Sequence, residues 1–181
     1  MKARYFSTFQ LILLAILAAL IVVAKVALRL PLQLPGHSGV YWMAIVVVAA
    51  GIVPRFGAAS LVGVTSGLLA AFWGLGDFGP LDTFVSYAAV GVGADLALLL
   101  LRQRENLVVT TLVGMLGHMA KFVVKWLLGT VSGAPVGFVA LGLARSLIGY
   151  LVFGAIGGFL GGLVLLALRK AGFFAYLAEK R

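Results

Sequence analysis

The residues best suited to binding a charged solute lie in the stretch Gly114 to Trp126, GMLGHMAKFVVKW, which places one histidine and two lysines inside an apolar run. On a helix, with about 100° between consecutive residues, His118, Lys121 and Lys125 fall within about 60° of one another. An ionisable residue inside a membrane helix costs at least roughly 2.5–3.5 kcal/mol on insertion scales, so this stripe should face a protein-lined cavity and bind a solute. The structural alternative is that Lys125 extends to the lipid headgroups and His118 hydrogen-bonds a neighbouring helix.

The composition indicates which elements must position this stripe. The chain has 181 residues, of which 63% are hydrophobic and 10% are charged, and its mean hydropathy is +1.17. These values are typical of integral membrane proteins and far from the averages of soluble domains. Because a bilayer-spanning helix takes about 20 residues, we predict one all-α domain over residues 1–181 with six transmembrane helices. The chain has no cysteine and only two histidines, so we expect no disulfide, no zinc site and no cofactor.

The predicted spans are separated by short polar, glycine- or proline-rich breaks. Besides the helix with the basic stripe, the spans run over about Phe9–Leu28, Tyr41–Val53, Phe56–Trp73, Phe84–Leu101 and Leu141–Leu168. The breaks predicted to be external loops are Leu30–Gly39, Gly74–Thr83 and Gly129–Gly137. A cleaved signal peptide is the alternative interpretation of the first run.

The positive charges predict the orientation of these spans. With both termini cytoplasmic, nine of the fourteen lysines and arginines lie on the cytoplasmic side, namely Lys2, Arg4, Arg55, Arg102, Arg104, Arg169, Lys170, Lys180 and Arg181. The other five fall in the outer halves of helices 1, 5 and 6, and they are Lys25, Arg29, Lys121, Lys125 and Arg145. Only Asp77 and Asp82 oppose them, so the outer cavity should attract an anionic solute.

The predicted solute site is the outer cavity between helices 5 and 6, below the loops at His37 and Asp77. Arg145 can hold a carboxylate in two parallel hydrogen bonds, while Lys121 and Lys125 add point charges. Aromatic side chains nearby would cover the ring or chain of the solute. The complete set of predicted substrate-binding residues is His37, Tyr41, Trp42, Asp77, Asp82, Tyr87, His118, Lys121, Lys125 and Arg145.

Several segments together carry a family resemblance. Ala15 and Ala19 form a small-xxx-small pair on helix 1, and a proline-containing loop follows that helix. Further along are YAAVGVGADLALLL, from Tyr87 to Leu100, and the glycine-rich GYLVFGAIGGFLGGLVLLALRKAG, from Gly149 to Gly172. With the six predicted spans, this pattern resembles the substrate-binding S component of an energy-coupling factor (ECF) vitamin transporter, over essentially the whole chain.

The resemblance implies a function and a set of partners. Such a subunit captures a vitamin-like small molecule on the outer side of a prokaryotic cytoplasmic membrane, and the helix 1 alanines dock on a transmembrane T component driven by two ATPases. This chain has no phosphate-binding glycine-lysine motif of its own, in keeping with that division of labour. Nickel and cobalt members begin with Met-His, whereas this chain begins Met1-Lys2, which disfavours a metal solute. The alternative solute is a neutral or cationic thiamin-related heterocycle, bound by Asp77 or Asp82 while the basic residues pair with those aspartates.

A short motif offers a second class of function. Gly36 to Gly39, GHSG, resembles the serine motif of rhomboid intramembrane proteases, with Ser38 as nucleophile and His118 as base. In rhomboids the serine opens the fourth of six core helices and the histidine lies on the sixth, whereas here the serine follows the first predicted helix and the histidine lies on the fifth. We therefore expect no enzymatic activity. A structural or assembly subunit that binds no solute is a third interpretation, but it leaves the outer basic residues unexplained.

Overall fold

The structure is a computed structural model, and it describes residues 6–28, 34–76, 79–101, 106–131 and 142–175. In these residues the chain forms helices and no strand, so the all-α class is confirmed. The helices are α1 (Thr8–Ala27), α2 (Gly39–Ile52), α3 (Ala58–Phe72), α4 (Pro80–Leu101), α5 (Leu107–Val131) and α6 (Leu143–Lys170). Outside the described residues lie the predicted site residue Asp77 and several residues used to predict topology, namely Lys2, Arg4, Arg29, Arg102, Arg104, Lys180 and Arg181.

The distribution of apolar side chains is that of a membrane protein. Many large apolar residues point away from the bundle, including Ile16, 58% exposed, and Leu100, 78% exposed. By contrast, the charged residues Asp82, Asp95 and Lys121 are buried. A soluble protein of this size rarely leaves so much apolar surface in water, whereas lipid tails solvate it without cost.

Helix length separates two groups. Among the described residues, α1, α4, α5 and α6 contain 20 to 28 residues and are long and apolar enough to cross a membrane. The apolar helices α2 and α3 have 14 and 15 residues, and at about 1.5 Å per residue they fall short of the roughly 30 Å hydrocarbon core. The chain is therefore a multi-pass membrane protein with four helices of spanning length in its described part, and six spans stay a prediction.

The short helix α2 forms the centre of the bundle. Nine of its fourteen residues are buried, and it contacts each of the other five helices. Its apolar positions face in every direction, which is the pattern of a helix surrounded by protein on all sides. The most extensive pairings besides those of α2 are α3 with α4, α4 with α5 and α5 with α6.

Glycine allows α5 and α6 to approach until their backbones touch. A Cβ atom built on Gly114 would clash with the carbonyl oxygen of Gly154 and with the backbone of Gly158. Because membrane helices gain little from the hydrophobic effect when they pair, such backbone contact is a principal source of their association. This close pairing positions the basic stripe of α5 relative to the rest of the bundle.

Contacts between helix ends show that the bundle has two distinct ends. At one end, the Lys25 ammonium donates to the carbonyl oxygen of Leu75, just after α3. The backbone of Pro35, ahead of α2, lies against Gly149 in the second turn of α6 at the same end. We call this the cavity end, because the candidate site lies there. At the opposite end the Asp95 carboxylate, late in α4, accepts hydrogen bonds from the first turn of α3.

Candidate functional site

A cavity opens at the cavity end between α1, α4, α5 and the segment after α3. Its volume is about 190 Å³, including the part that opens to solvent. Most of this volume is open to solvent, and the enclosed part is about the size of one water molecule. The described residues that line it are Lys25, Gly76, Asp82, Thr83, Ser86, Tyr87, Lys121 and Lys125.

Two aromatic rings hold the Lys121 ammonium beside the cavity. Lys121 Nζ lies 4.3 Å from the ring centroid of Trp42 and 5.4 Å from that of Tyr87. The two rings are in contact, with their centroids 4.6 Å apart. A second ammonium, that of Lys25, also lies 5.4 Å from the Tyr87 ring. Because an aromatic face attracts a cation more strongly away from water, the rings stabilise buried ammonium groups and keep them in place.

The carboxylate of Asp82 is the acidic group in the described lining of the cavity. Its side chain is 6% exposed, and Oδ1 accepts a hydrogen bond from Ser86 Oγ at 3.3 Å. Asp82 and Ser86 are four residues apart, so one face of α4 presents both to the cavity. Asp82 Oδ2 is buried and has no hydrogen-bond donor among the described residues.

His118 lies deeper than the lysines, at the junction of α2, α5 and α6. It is fully buried, and its Nδ1 donates to the carbonyl oxygen of Tyr150 at 2.9 Å. Since a carbonyl oxygen only accepts, Nδ1 carries the hydrogen. The ring lies against the backbone of Gly39, where a Cβ atom would clash with it, and its edge faces Trp42 at 5.9 Å between centroids. His118 therefore supports the helix that carries Trp42.

The structure brings together about half of the predicted substrate-binding residues. Those that line the cavity or contact a residue that lines it are Trp42, Asp82, Tyr87, Lys121 and Lys125. His37 is half-buried, with its Nδ1 donating to the Leu34 carbonyl oxygen at 2.7 Å. Arg145 is exposed in the first turn of α6, and neither it nor Tyr41 is among the described residues that line the cavity.

The position of the cavity also differs from the sequence prediction. The solute site was predicted between helices 5 and 6, whereas the observed cavity lies between α1, α4 and α5. The backbones of α5 and α6 touch near Gly114, and a site between their other ends, at Lys125 and Arg145, stays a prediction. Sequence reasoning did not include Lys25, Thr83 or Ser86 in the site. Ser86 could have been identified from its spacing of four residues from Asp82. Lys25 could have been identified as a lone charge near the end of an apolar run.

The alanine pair on α1 faces away from the bundle. Ala15 and Ala19 are exposed, whereas Leu14, Ala18 and Ile21 on the other side of the helix are buried. A face of this kind meets either lipid or another protein in the membrane. The small side chains allow a second helix to approach closely.

Ser38 and His118 do not form a nucleophile–base pair in this structure. His118 Nδ1 is bonded to the Tyr150 carbonyl oxygen, and Nε2 has no partner among the described residues. A serine nucleophile is activated by a base within hydrogen-bond reach, and that hydrogen bond is not formed here.

Comparison of the chain with protein-family models, with curated proteins and with solved structures finds no match. The fold and the geometry of the cavity are therefore the basis for the function of this chain. Together they define an all-helical, multi-pass membrane protein with a small cavity at one end of the bundle, and the described residues that line this cavity are mainly basic. In the described part of the chain, no group of three or more histidine, aspartate or glutamate residues is arranged to hold a metal ion.

Proposed function

We propose that the protein is the substrate-capture subunit of an ECF-type importer and binds a small anionic, vitamin-like solute. The observation that supports this most directly is the charge of the cavity, whose described lining contains three lysines and one carboxylate. Lys121 is buried and belongs to an apolar helix. A membrane protein retains an ionisable residue at such a position when it has a function, and an excess of positive charge attracts an anion.

The cavity favours an anion over the alternative of a thiamin-related cation. A cationic ring would stack on aromatic faces, but the faces of Trp42 and Tyr87 already meet the ammonium groups of Lys121 and Lys25. A cationic solute would therefore enter beside like charges, which disfavours binding. An anion placed between Lys25, Lys121 and Lys125 would instead interact favourably with all three.

The charge distribution also supports an orientation for the proposed importer. The described basic residues at the opposite end include Arg55, Arg169 and Lys170. Under the positive-inside rule, this end is cytoplasmic and the cavity faces the outside. In this proposal the bundle crosses the prokaryotic cytoplasmic membrane six times with both termini inside, and α2 and α3 cross a locally thinned or protein-shielded region.

The energy for import would come from partners. The proposed contact is the exposed face of α1 at Ala15 and Ala19, which would pack against a transmembrane T component attached to two ATPases. Both alanines point away from the bundle, so a partner helix can reach them without rearrangement of the core.

The first test of this function is identification of the bound solute. Protein purified in detergent without added ligand should carry a small anionic molecule that mass spectrometry detects after denaturation. Lys121→Ala should weaken its binding by about 2–5 kcal/mol, or roughly 30- to 4,000-fold, the range for truncating a buried charged partner. The matched control is Lys170→Ala, which removes an exposed positive charge at the opposite end of the bundle.

The two variants separate the possible outcomes. Calorimetric titration with the identified molecule should show a large loss for Lys121→Ala and a small change for Lys170→Ala. Equal affinity of the wild type and folded Lys121→Ala, or a bound solute that carries only positive charge, would show that the cavity is not an anion site.

A further inference from the structure

The enclosed part of the cavity is too small for an organic solute. It is about the size of one water molecule, and Ser86 and Asp82, which belong to the lining, are 1% and 6% exposed. For the solute proposed above to bind here, at least one of the elements around the cavity must therefore move.

Backbone contact with neighbouring helices holds two of these elements, α4 and α5. A Cβ atom on Gly91 of α4 would clash with the carbonyl oxygen of Ala59 in α3, and one on Gly114 of α5 with that of Gly154 in α6. A shift of either helix would break such close contact over much of its length. By contrast, α1 has five buried residues of twenty and packs mainly against α2 and α3. Movement of α1 therefore disrupts the least packing.

The side chain of Lys25 joins α1 to two other elements around the cavity. Lys25 lies in the last turn of α1. Its ammonium donates to the carbonyl oxygen of Leu75, in the segment after α3, and lies 5.4 Å from the ring centroid of Tyr87 in α4. Because one partner is charged, this hydrogen bond is stronger than one between neutral groups.

The acceptor of this hydrogen bond is fixed by the turn that ends α3. Gly74 has a φ of +63°, its N–H donates to the Ala71 carbonyl oxygen at 3.1 Å, and the Leu75 N–H donates to the Ala70 carbonyl oxygen at 3.0 Å. These paired bonds form a Schellman motif, which closes the helix end. Since they hold the backbone of Leu75, Lys25 and the last turn of α1 are the parts that can move.

We infer that the hydrogen bond from Lys25 to the Leu75 carbonyl oxygen is a latch that keeps the cavity closed. When the latch opens, the end of α1 moves away from the turn after α3 and Ser86 becomes exposed. The inference rests on the proposed function, because it describes how the solute reaches the cavity. Its test needs no solute.

The rate at which a thiol in the lining reacts measures this opening. The chain has no cysteine, so Ser86→Cys introduces a single thiol. The reagent is methyl methanethiosulfonate, which is larger than water and uncharged, so the loss of a lysine does not alter its attraction to the cavity. With full-length protein in detergent, adding Lys25→Met should raise the labelling rate about 10- to 150-fold, the ratio expected for loss of one hydrogen bond to a charged group. Mass spectrometry gives the labelled fraction over time.

Two controls assign the increase to the latch. Ser66 is fully buried in α3 and is not among the described residues that line the cavity. The labelling rate of Ser66→Cys should therefore be the same with and without Lys25→Met. Lys25→Arg retains the positive charge and N–H donors, so Ser86→Cys should still react slowly in that background.

The outcomes separate the latch from the proposed function. An unchanged labelling rate of Ser86→Cys in folded Lys25→Met would overturn the latch, and the proposed function would stand because a solute can enter by another path. An equal increase at Ser66→Cys would show that the whole bundle has loosened, which also overturns the latch. If Lys25→Met fails to fold, Lys25→Gln, whose side chain is one bond shorter and uncharged, provides the same comparison. The proposed function depends instead on the charge of the bound solute and fails separately.

Discussion

Replacing Asp95 should separate a structural carboxylate from a functional one. Asp95 is buried in α4, and its Oδ2 accepts two hydrogen bonds from Ser60, one from the backbone N–H at 2.8 Å and one from the hydroxyl at 2.7 Å. Ser60 lies in the first turn of α3, where backbone N–H groups have no partner within the helix. Asp95 therefore caps α3 from a neighbouring helix.

The expected size of the effect follows from these two bonds. Asp95→Leu removes the acceptor and leaves a buried N–H and a hydroxyl without partners, at a cost of about 1–3 kcal/mol each. Burial of the leucine side chain offsets part of this cost. We therefore expect the free energy of unfolding to fall by about 2–4 kcal/mol. Asp95→Asn retains one oxygen acceptor in the same position and should cost about 1 kcal/mol. Ser60→Ala removes one of the two bonds and should fall between these values.

The measurement is the Tm of each variant in detergent, with thermal unfolding monitored by size-exclusion chromatography. At about 2–4 °C per kcal/mol for a chain of this size, Asp95→Leu should lower Tm by roughly 4–16 °C and Asp95→Asn by about 2–4 °C. Solute affinity and uptake by Asp95→Asn should stay close to those of the wild type. An unchanged Tm in Asp95→Leu would show that Asp95 does not cap α3. Loss of uptake by a stable Asp95→Asn would show that the carboxylate acts in transport.

Two further predictions concern the partner and the membrane. Changing both Ala15 and Ala19 to leucine should abolish uptake and co-purification of the T component, while solute affinity stays nearly unchanged. The reason is that bulky side chains separate helices that need close contact. Loss of solute affinity in the folded double variant would contradict this assignment. The chain has no native cysteine, so a single cysteine at Ser132 should react with an impermeant reagent added outside cells, and one at Gln103 should not. The reverse pattern would invert the proposed orientation.

The sequence predicts the helical class and part of the candidate site because both follow from local patterns. Lys121 and Lys125 share a helix face by their spacing, and a charge in an apolar helix points to a cavity. The sequence of α5 alone does not determine which helices pack against it, because packing depends on which helices in the whole chain can approach one another most closely. For this reason the sequence did not predict that Lys25 of α1 lines the cavity beside these lysines, and the role of Arg145 stays a prediction. The bond from Ser60 to Asp95 was missed because the two residues are 35 positions apart.

The peripheral position of α1 has a consequence for coupling between two binding events. Five of its twenty residues are buried, and its main contacts are with α2 and α3. The same helix carries Lys25 on the wall of the cavity and Ala15 and Ala19 on its outward face. A protein that binds this face more tightly in one position of α1 than in another would therefore change the affinity for the solute. By the same factor, bound solute would change the affinity for that protein. Displacement of this one helix would move Lys25 away from the other described residues that line the cavity, which belong to α4, α5 and the segment after α3.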